Sequence, residues 1–227
     1  SGRWLGALPM WNVEWSAAEV RRAATKGAKA IAFTENPTKM GLPSIHTRHW
    51  DPLWEAVDEV DLPICIHIGS STQLITSSPD APWPVTLALN GLNAMVTCVD
   101  WIYSGLFERF PGLTMVLSEG GAGWVPYIME KAEKQFGIHG AKTGTTRHPK
   151  EVFLEHIYAC VVTDEFGLAN YPLIGEDNLM WESDYPHNDG MWPDSRTTLE
   201  KSLADVPDRV AKKIGGETAK RVFKIAA

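Results

Sequence analysis

Leu62-Pro63-Ile64-Cys65-Ile66-His67-Ile68-Gly69-Ser70-Ser71 holds an unbroken apolar run interrupted by a single imidazole. A strand with one wet face alternates apolar and polar residues. This one does not, so both of its faces are covered, as in a buried parallel sheet. Working outward, five further short runs share the texture: Arg3–Trp11, Lys29–Thr34, Leu113–Ser118, His156–Val162 and Asn178–Glu182. Helical patterns lie between them, at Ser16–Lys26, His49–Val60, within Pro84–Arg109, and at Gly123–Phe136 and Thr198–Val206. The first should open on a capping box, with Ser16 as N-cap and Glu19 three residues on, and stop at Gly27. The tail Asp208–Ile225 reads as two short helices divided at Gly215-Gly216, and Gly140–Thr146 as a mobile surface loop. Strands alternating with helices leave an open doubly wound sheet or a (β/α) barrel. An open nucleotide-binding sheet carries a GxGxxG turn after its first strand. Here Gly120-Gly121-Ala122-Gly123 follows the fourth run and lacks that spacing.

The 227 residues suffice for one large core or two small domains. A net charge of -7 and a pI near 5.5 argue against nucleic-acid or anionic-membrane partners, which want a basic face. There is no run of eighteen apolar residues to span a membrane and no secretory signal pattern. Cys65, Cys98 and Cys160 stand far apart among apolar neighbours and read as buried free thiols. A cytoplasmic protein is expected. Ten tryptophans are unusual, and Trp50, Trp83 and Trp192 are placed in loops, where core packing does not account for them.

The strand ends carry the chemistry. The runs finish at or just before Glu35, His67, Glu119, Asp164 and Asp184. In a barrel, that end of the strands builds the active site. Any single carboxylate there can be a cap for the following helix. Five in succession point to a site, and His67 is no cap. A lone strand histidine is usually a core residue bonded to backbone; the sharper reading makes His67 a metal ligand together with Asp184. His187, three residues after Asp184, is near enough to support it or to move a proton. His46 and His49 are equally readable as substrate contacts or plain loop, and His139, His148 and His156 as surface or strand-entry residues.

"LPICIHIGSS", "LTMVLSEGGAGWVPYIMEK", "NLMWESDYPHNDGMWPDS" and "IGGETAKRVFKI" together resemble the amidohydrolase superfamily. The nearest branch is amidohydrolase family 2, which includes aminocarboxymuconate-semialdehyde decarboxylase. The resemblance runs from about Arg3 to Ile225. It implies a metal-dependent (β/α)8 TIM barrel, with His67 as the fifth-strand ligand and Asp184 as the eighth-strand ligand and proton acceptor. Metal-bound water in such sites has a pKa of about 7. The H-x-H pair of a first strand is missing, so the six runs correspond to strands three to eight. Residues 1–227 are therefore expected to form one N-terminally incomplete hydrolase domain of about six βα units. Its open edges would be closed by an upstream segment or another chain. Glu119 stands where the decarboxylase branch carries a histidine.

The expected protein is a metal-dependent hydrolase, or as second choice a non-oxidative decarboxylase, acting on a small carboxylated, aromatic or unsaturated substrate. Zinc is the expected metal, with manganese or iron as alternatives, and a homodimer is expected. Asp184, Glu119 and His187 would be catalytic, and His67 and Asp184 would hold the metal. Glu35, His46, His49, Trp124 and Trp192 would contact substrate. The rival reading is a non-catalytic barrel fragment or interaction module that has lost its metal site.

Overall fold

The computed structural model describes residues 4–187 and 190–225. Six strands, β1 (Leu5–Gly6), β2 (Ala30–Phe33), β3 (Ile64–His67), β4 (Met115–Ser118), β5 (Ile157–Val161) and β6 (Leu179–Trp181), pair in sequential order. Every pairing is parallel. A doubly wound sheet reverses its strand order at a switch point, whereas an order that only advances is that of a (β/α) barrel. The chain thus supplies six consecutive units of a TIM-type barrel. β1 is far shorter than Arg3–Trp11, because Pro9 has no N–H to give and the chain turns through Met10 N–H to Leu8 O. Arg3 lies outside the described residues.

Connecting helices are α1 (Val13–Thr25), α2 (Asp51–Val60), α3 (Trp83–Leu89), α4 (Gly91–Tyr103), α5 (Leu106–Arg109) and α6 (Val125–His139). They continue as α7 (Pro149–His156), α8 (Glu165–Ala169), α9 (Tyr171–Ile174), α10 (Ser195–Ser202), α11 (Asp208–Lys212) and α12 (Thr218–Val222). The capping box at Ser16 is not used. Asn12 caps α1 by accepting from Trp15 N–H, four residues earlier than expected, and buried Ser16 donates to Pro9 O. Gly27, at φ 84°, ends the helix as expected. The tail divides where Gly216 leaves helical geometry. Gly140–Thr146 is pinned rather than loose: Gly144 N–H donates to Tyr103 O, and Thr145 Oγ1 and Thr146 N–H donate to Glu108. Trp83–Tyr103 is long and apolar enough to cross a membrane by composition, but its Ala94, Cys98, Trp101 and Ile102 pack into the core.

The two faces of the sheet bury different things. Outward residues join the helices in the larger core, where Phe33 meets Trp54 at 4.9 Å, Trp50 at 5.2 Å and Trp101 at 6.3 Å between ring centroids. Trp50 is therefore a core residue and not a mouth residue; its Nε1 donates to Pro43 O. Inward residues Ala30, Cys65, Val116, Tyr158, Cys160 and Met180 form a second cluster closed by Val222 of α12. Arg221 donates to Tyr158 Oη, so the tail seals the interior at the end of the strands opposite the candidate site. All three thiols are buried, and burial pushes Cys65 up to about 12, as expected of inert core cysteines.

His156 closes α7 and stacks on Phe107 at 4.6 Å, with Nδ1 donating to Leu113 O and Nε2 accepting from Arg147. Burial holds its pKa below the ordinary 6.5. The unfolded chain then binds the proton more readily below that pH, so this contribution is complete above 6.5 and is lost as pH falls. The urea midpoint is expected to drop between pH 7.5 and 5.5, and His156→Asn should flatten that slope.

Candidate active site

Three of the five strand-end residues meet. His67, two residues beyond inward-facing Cys65, shares its face of β3. Its Nε2 lies 2.8 Å from Glu119 Oε2, and its Nδ1 donates to Ile68 O at 2.7 Å. Glu119 follows β4 and Asp184 follows β6, and both have left-handed backbones, at φ 64° and 50°. Such angles are uncommon for non-glycine residues and concentrate where surrounding structure imposes them for function. The turn after Asp184 folds back through His187 N–H to Asp184 O, which brings His187 Nδ1 to 3.1 Å from both Asp184 Oδ1 and Glu119 Oε1.

Glu119, Asp184 and His187 offer ligand atoms that all lie within 4.8 Å of one another. Asp184 Oδ2 is buried without a hydrogen-bond partner among the described residues. Burial and the neighbouring Glu119 carboxyl raise the Asp184 pKa. The two acidic groups raise that of His187, which favours imidazolium.

His67, Glu119 and His187 form one wall of a cavity of about 590 Å³, completed by Thr72, Leu74, Trp83, Leu87 and Asn90. Leu74, Trp83 and Leu87 are its large apolar lining residues. Of the tryptophans expected at the mouth, Trp83 is the one that lines it.

Other expected site residues lie elsewhere. Glu35 is buried: Oε1 accepts from Ser71 Oγ and Asn93 Nδ2, and Oε2 from Gly69 N–H. It therefore fixes the loop after β3, which forms the cavity wall, rather than meeting a ligand. Asp164 does the same for the glycine-rich loop, accepting from Ala122, Gly123 and Gly167 N–H. His46 is bonded to Asp100, and His49 packs its edge on Trp50. Trp124 donates to Gly120 O, and exposed Trp192 leans on Tyr185. None of these four lines the cavity. Glu35→Ala would leave Ser71, Asn93 and Gly69 without their acceptor. It is expected to cost about 2–3 kcal/mol, read by urea unfolding, at the rate of hydrogen bonds to a charged group.

The residue that sequence reading passed over is Glu182. It sits on the inward face two residues beyond Met180, and its Oε1 accepts from Glu119 N–H at 2.5 Å. Burial raises its pKa to about 7. Strand alternation from Met180 was the available signal, masked by treating Glu182 as the strand's end.

Gamma-resorcylate decarboxylase from Polaromonas sp. strain JS666 is 25% identical over 98% of this chain and 70% of its own length. The crystal structure of 5-carboxyvanillate decarboxylase from Sphingomonas paucimobilis superposes with a TM-score of 0.80 at 21% identity, covering 98% of this chain and 66% of that one. A dihydroxybenzoic acid decarboxylase from Polaromonas sp. JS666, with bound manganese and 2-nitroresorcinol, gives 0.75 at 22% identity, covering 98% and 69%. The chain thus spans about two thirds of the length of these relatives, and the structural likenesses establish the barrel fold. A family model described as amidohydrolase matches residues 2–225, so the chain belongs to the amidohydrolase family, in its second branch.

Proposed function

We propose that this chain carries the active site of a divalent-metal-dependent, non-oxidative decarboxylase of hydroxylated aromatic carboxylates. The observation that carries the reading is the meeting of His67, Glu119, Asp184 and His187 beside a cavity that Leu74, Trp83 and Leu87 also line. The donor set fits a divalent cation. Carboxylate oxygens and imidazole nitrogen suit such an ion, and Asp184 Oδ2, beside Glu119 and without a partner among the described residues, is suited to a proton or a cation. Asp184, Glu119 and the two histidines would hold it. When bound, the ion would supply positive charge that lets both carboxylates ionise and attracts a substrate carboxylate and its neighbouring hydroxyl. Manganese, named in the Polaromonas structure, moves ahead of zinc as the metal for this site.

The remaining work falls to protein groups. Leu74, Trp83 and Leu87 cover an aromatic ring and exclude water from it. Glu119, between His67 Nε2 and His187 Nδ1, is placed to take the proton of the substrate's hydroxyl and return it to the ring carbon that bears the carboxylate. The electron pair of the breaking C–C bond stays on that carbon, forms the new C–H bond with the proton, and CO2 departs. The decarboxylase names of the relatives support this choice over hydrolysis. Hydrolysis at the same cluster is the second reading, favoured by Glu119 standing where the decarboxylase branch carries histidine.

The test is a panel of hydroxybenzoates, including 2,6-dihydroxybenzoate and 5-carboxyvanillate, assayed for CO2 and phenol release with Mn2+. Release that stops on chelation and returns with Mn2+ is expected. Cleavage of amides or lactones with no CO2 from any benzoate would establish the second reading instead.

A further inference from the structure

Glu182 is half-buried just beyond β6 and does not line the cavity. Its carboxylate reaches across from β6 to the N–H of Glu119 at 2.5 Å. That N–H lies beyond the ladder: β4 pairs with β5 only as far as Leu117 opposite Ala159, and with β3 as far as Ser118 opposite His67. Past this point the backbone of Glu119 swings to φ 64°, a region uncommon for a residue with a side chain. The swing aims the Glu119 side chain sideways over the mouth, where its two oxygens meet His67 and His187. The neighbouring glycines do not supply this hold; the N–H groups of Ala122 and Gly123 are taken by Asp164.

We propose that Glu182 is a positioning residue: by accepting from Glu119 N–H it fixes the left-handed turn that presents the Glu119 carboxylate, and so sets the cluster's affinity for a divalent cation. The inference rests on the reading of the cluster as a cation site. Partners that orient ligating groups commonly control metal affinity by about 10–100-fold.

Two variants separate the acceptor from the charge. Glu182→Gln keeps an oxygen for Glu119 N–H, and Glu182→Leu removes it in a side chain of similar reach. Hydrogen exchange of the Glu119 amide is read by NMR without metal, Mn2+ affinity by electron paramagnetic resonance titration, and folding by thermal unfolding. Glu182→Gln is expected to keep the amide protected and the affinity within about threefold of wild type. Glu182→Leu should lose at least about tenfold in protection and about 10–100-fold in Mn2+ affinity, with unfolding still cooperative. Wild-type Mn2+ affinity in Glu182→Leu, or equal losses in both variants, would overturn the proposal. A wild-type protein that binds no Mn2+ would overturn the cation-site reading instead, and amide protection would still judge the hold on Glu119.

Discussion

Asp184→Asn should leave a folded protein with turnover reduced by about 10³-fold or more, which corresponds to about 4 kcal/mol of lost transition-state stabilisation. Asparagine tolerates the left-handed backbone at φ 50° as well as aspartate does, so the turn that carries His187 survives. What changes is charge. The amide can donate to Glu119, relieving the carboxylate pair that raises the Asp184 pKa in the parent protein. Thermal stability is therefore expected to hold or rise while activity collapses, as occurs where a site stores unfavourable charge for function. Wild-type activity in the variant would remove Asp184 from the mechanism. Parallel loss of stability and activity would make it a structural residue.

Trp54→Ala should cost about 3–5 kcal/mol, the largest single effect on folding expected here. The indole is fully buried, at 0% exposure, and its ring meets Phe33 at 4.9 Å and Trp101 at 5.3 Å. Phe33 lies on the outward face of β2, so these rings join the sheet to α2 and α4. An alanine leaves a void that rigid neighbouring rings cannot fill. Against a typical domain stability of about 5–15 kcal/mol, the loss is a large fraction. The Trp54 Nε1 has no hydrogen-bond partner among the described residues, so Trp54→Phe removes an unsatisfied donor along with some volume and should cost clearly less than alanine. Urea unfolding of the two variants checks the order, and equal costs would contradict this account of the packing.

The strands were legible because a buried parallel strand has a single requirement, apolar residues on both faces. Ile64-Cys65-Ile66 and Ile157–Val161 meet it without ambiguity. Helix α7 was not legible, since Pro149–His156 mixes charged and apolar residues with little periodicity and runs directly into β5. The cap of α1 was misplaced because Ser16 and Glu19 satisfy the local pattern, while the backbone had already turned helical at Val13 behind Asn12. At the strand ends, sequence alone could not divide carboxylates that face the mouth from those that hold loops. Glu35 and Asp164 accept N–H groups from segments 34 to 42 residues distant, contacts that only the closed fold creates. The same blindness hid Glu182, whose partner Glu119 lies 63 residues away. Trp50 reads as a loop residue, and it does follow a loop, but the loop returns to the core.

The central claim is that His67, Glu119, Asp184 and His187 form a divalent-cation site. Its most direct measurement is the metal content of the purified protein after loading with Mn2+ and desalting, alongside His67→Ala and Asp184→Ala. About one ion per chain in the parent and substoichiometric metal in both variants is the expected result, because each variant removes a donor from a small set. Metal absent from the parent, or equal in all three proteins, would contradict it.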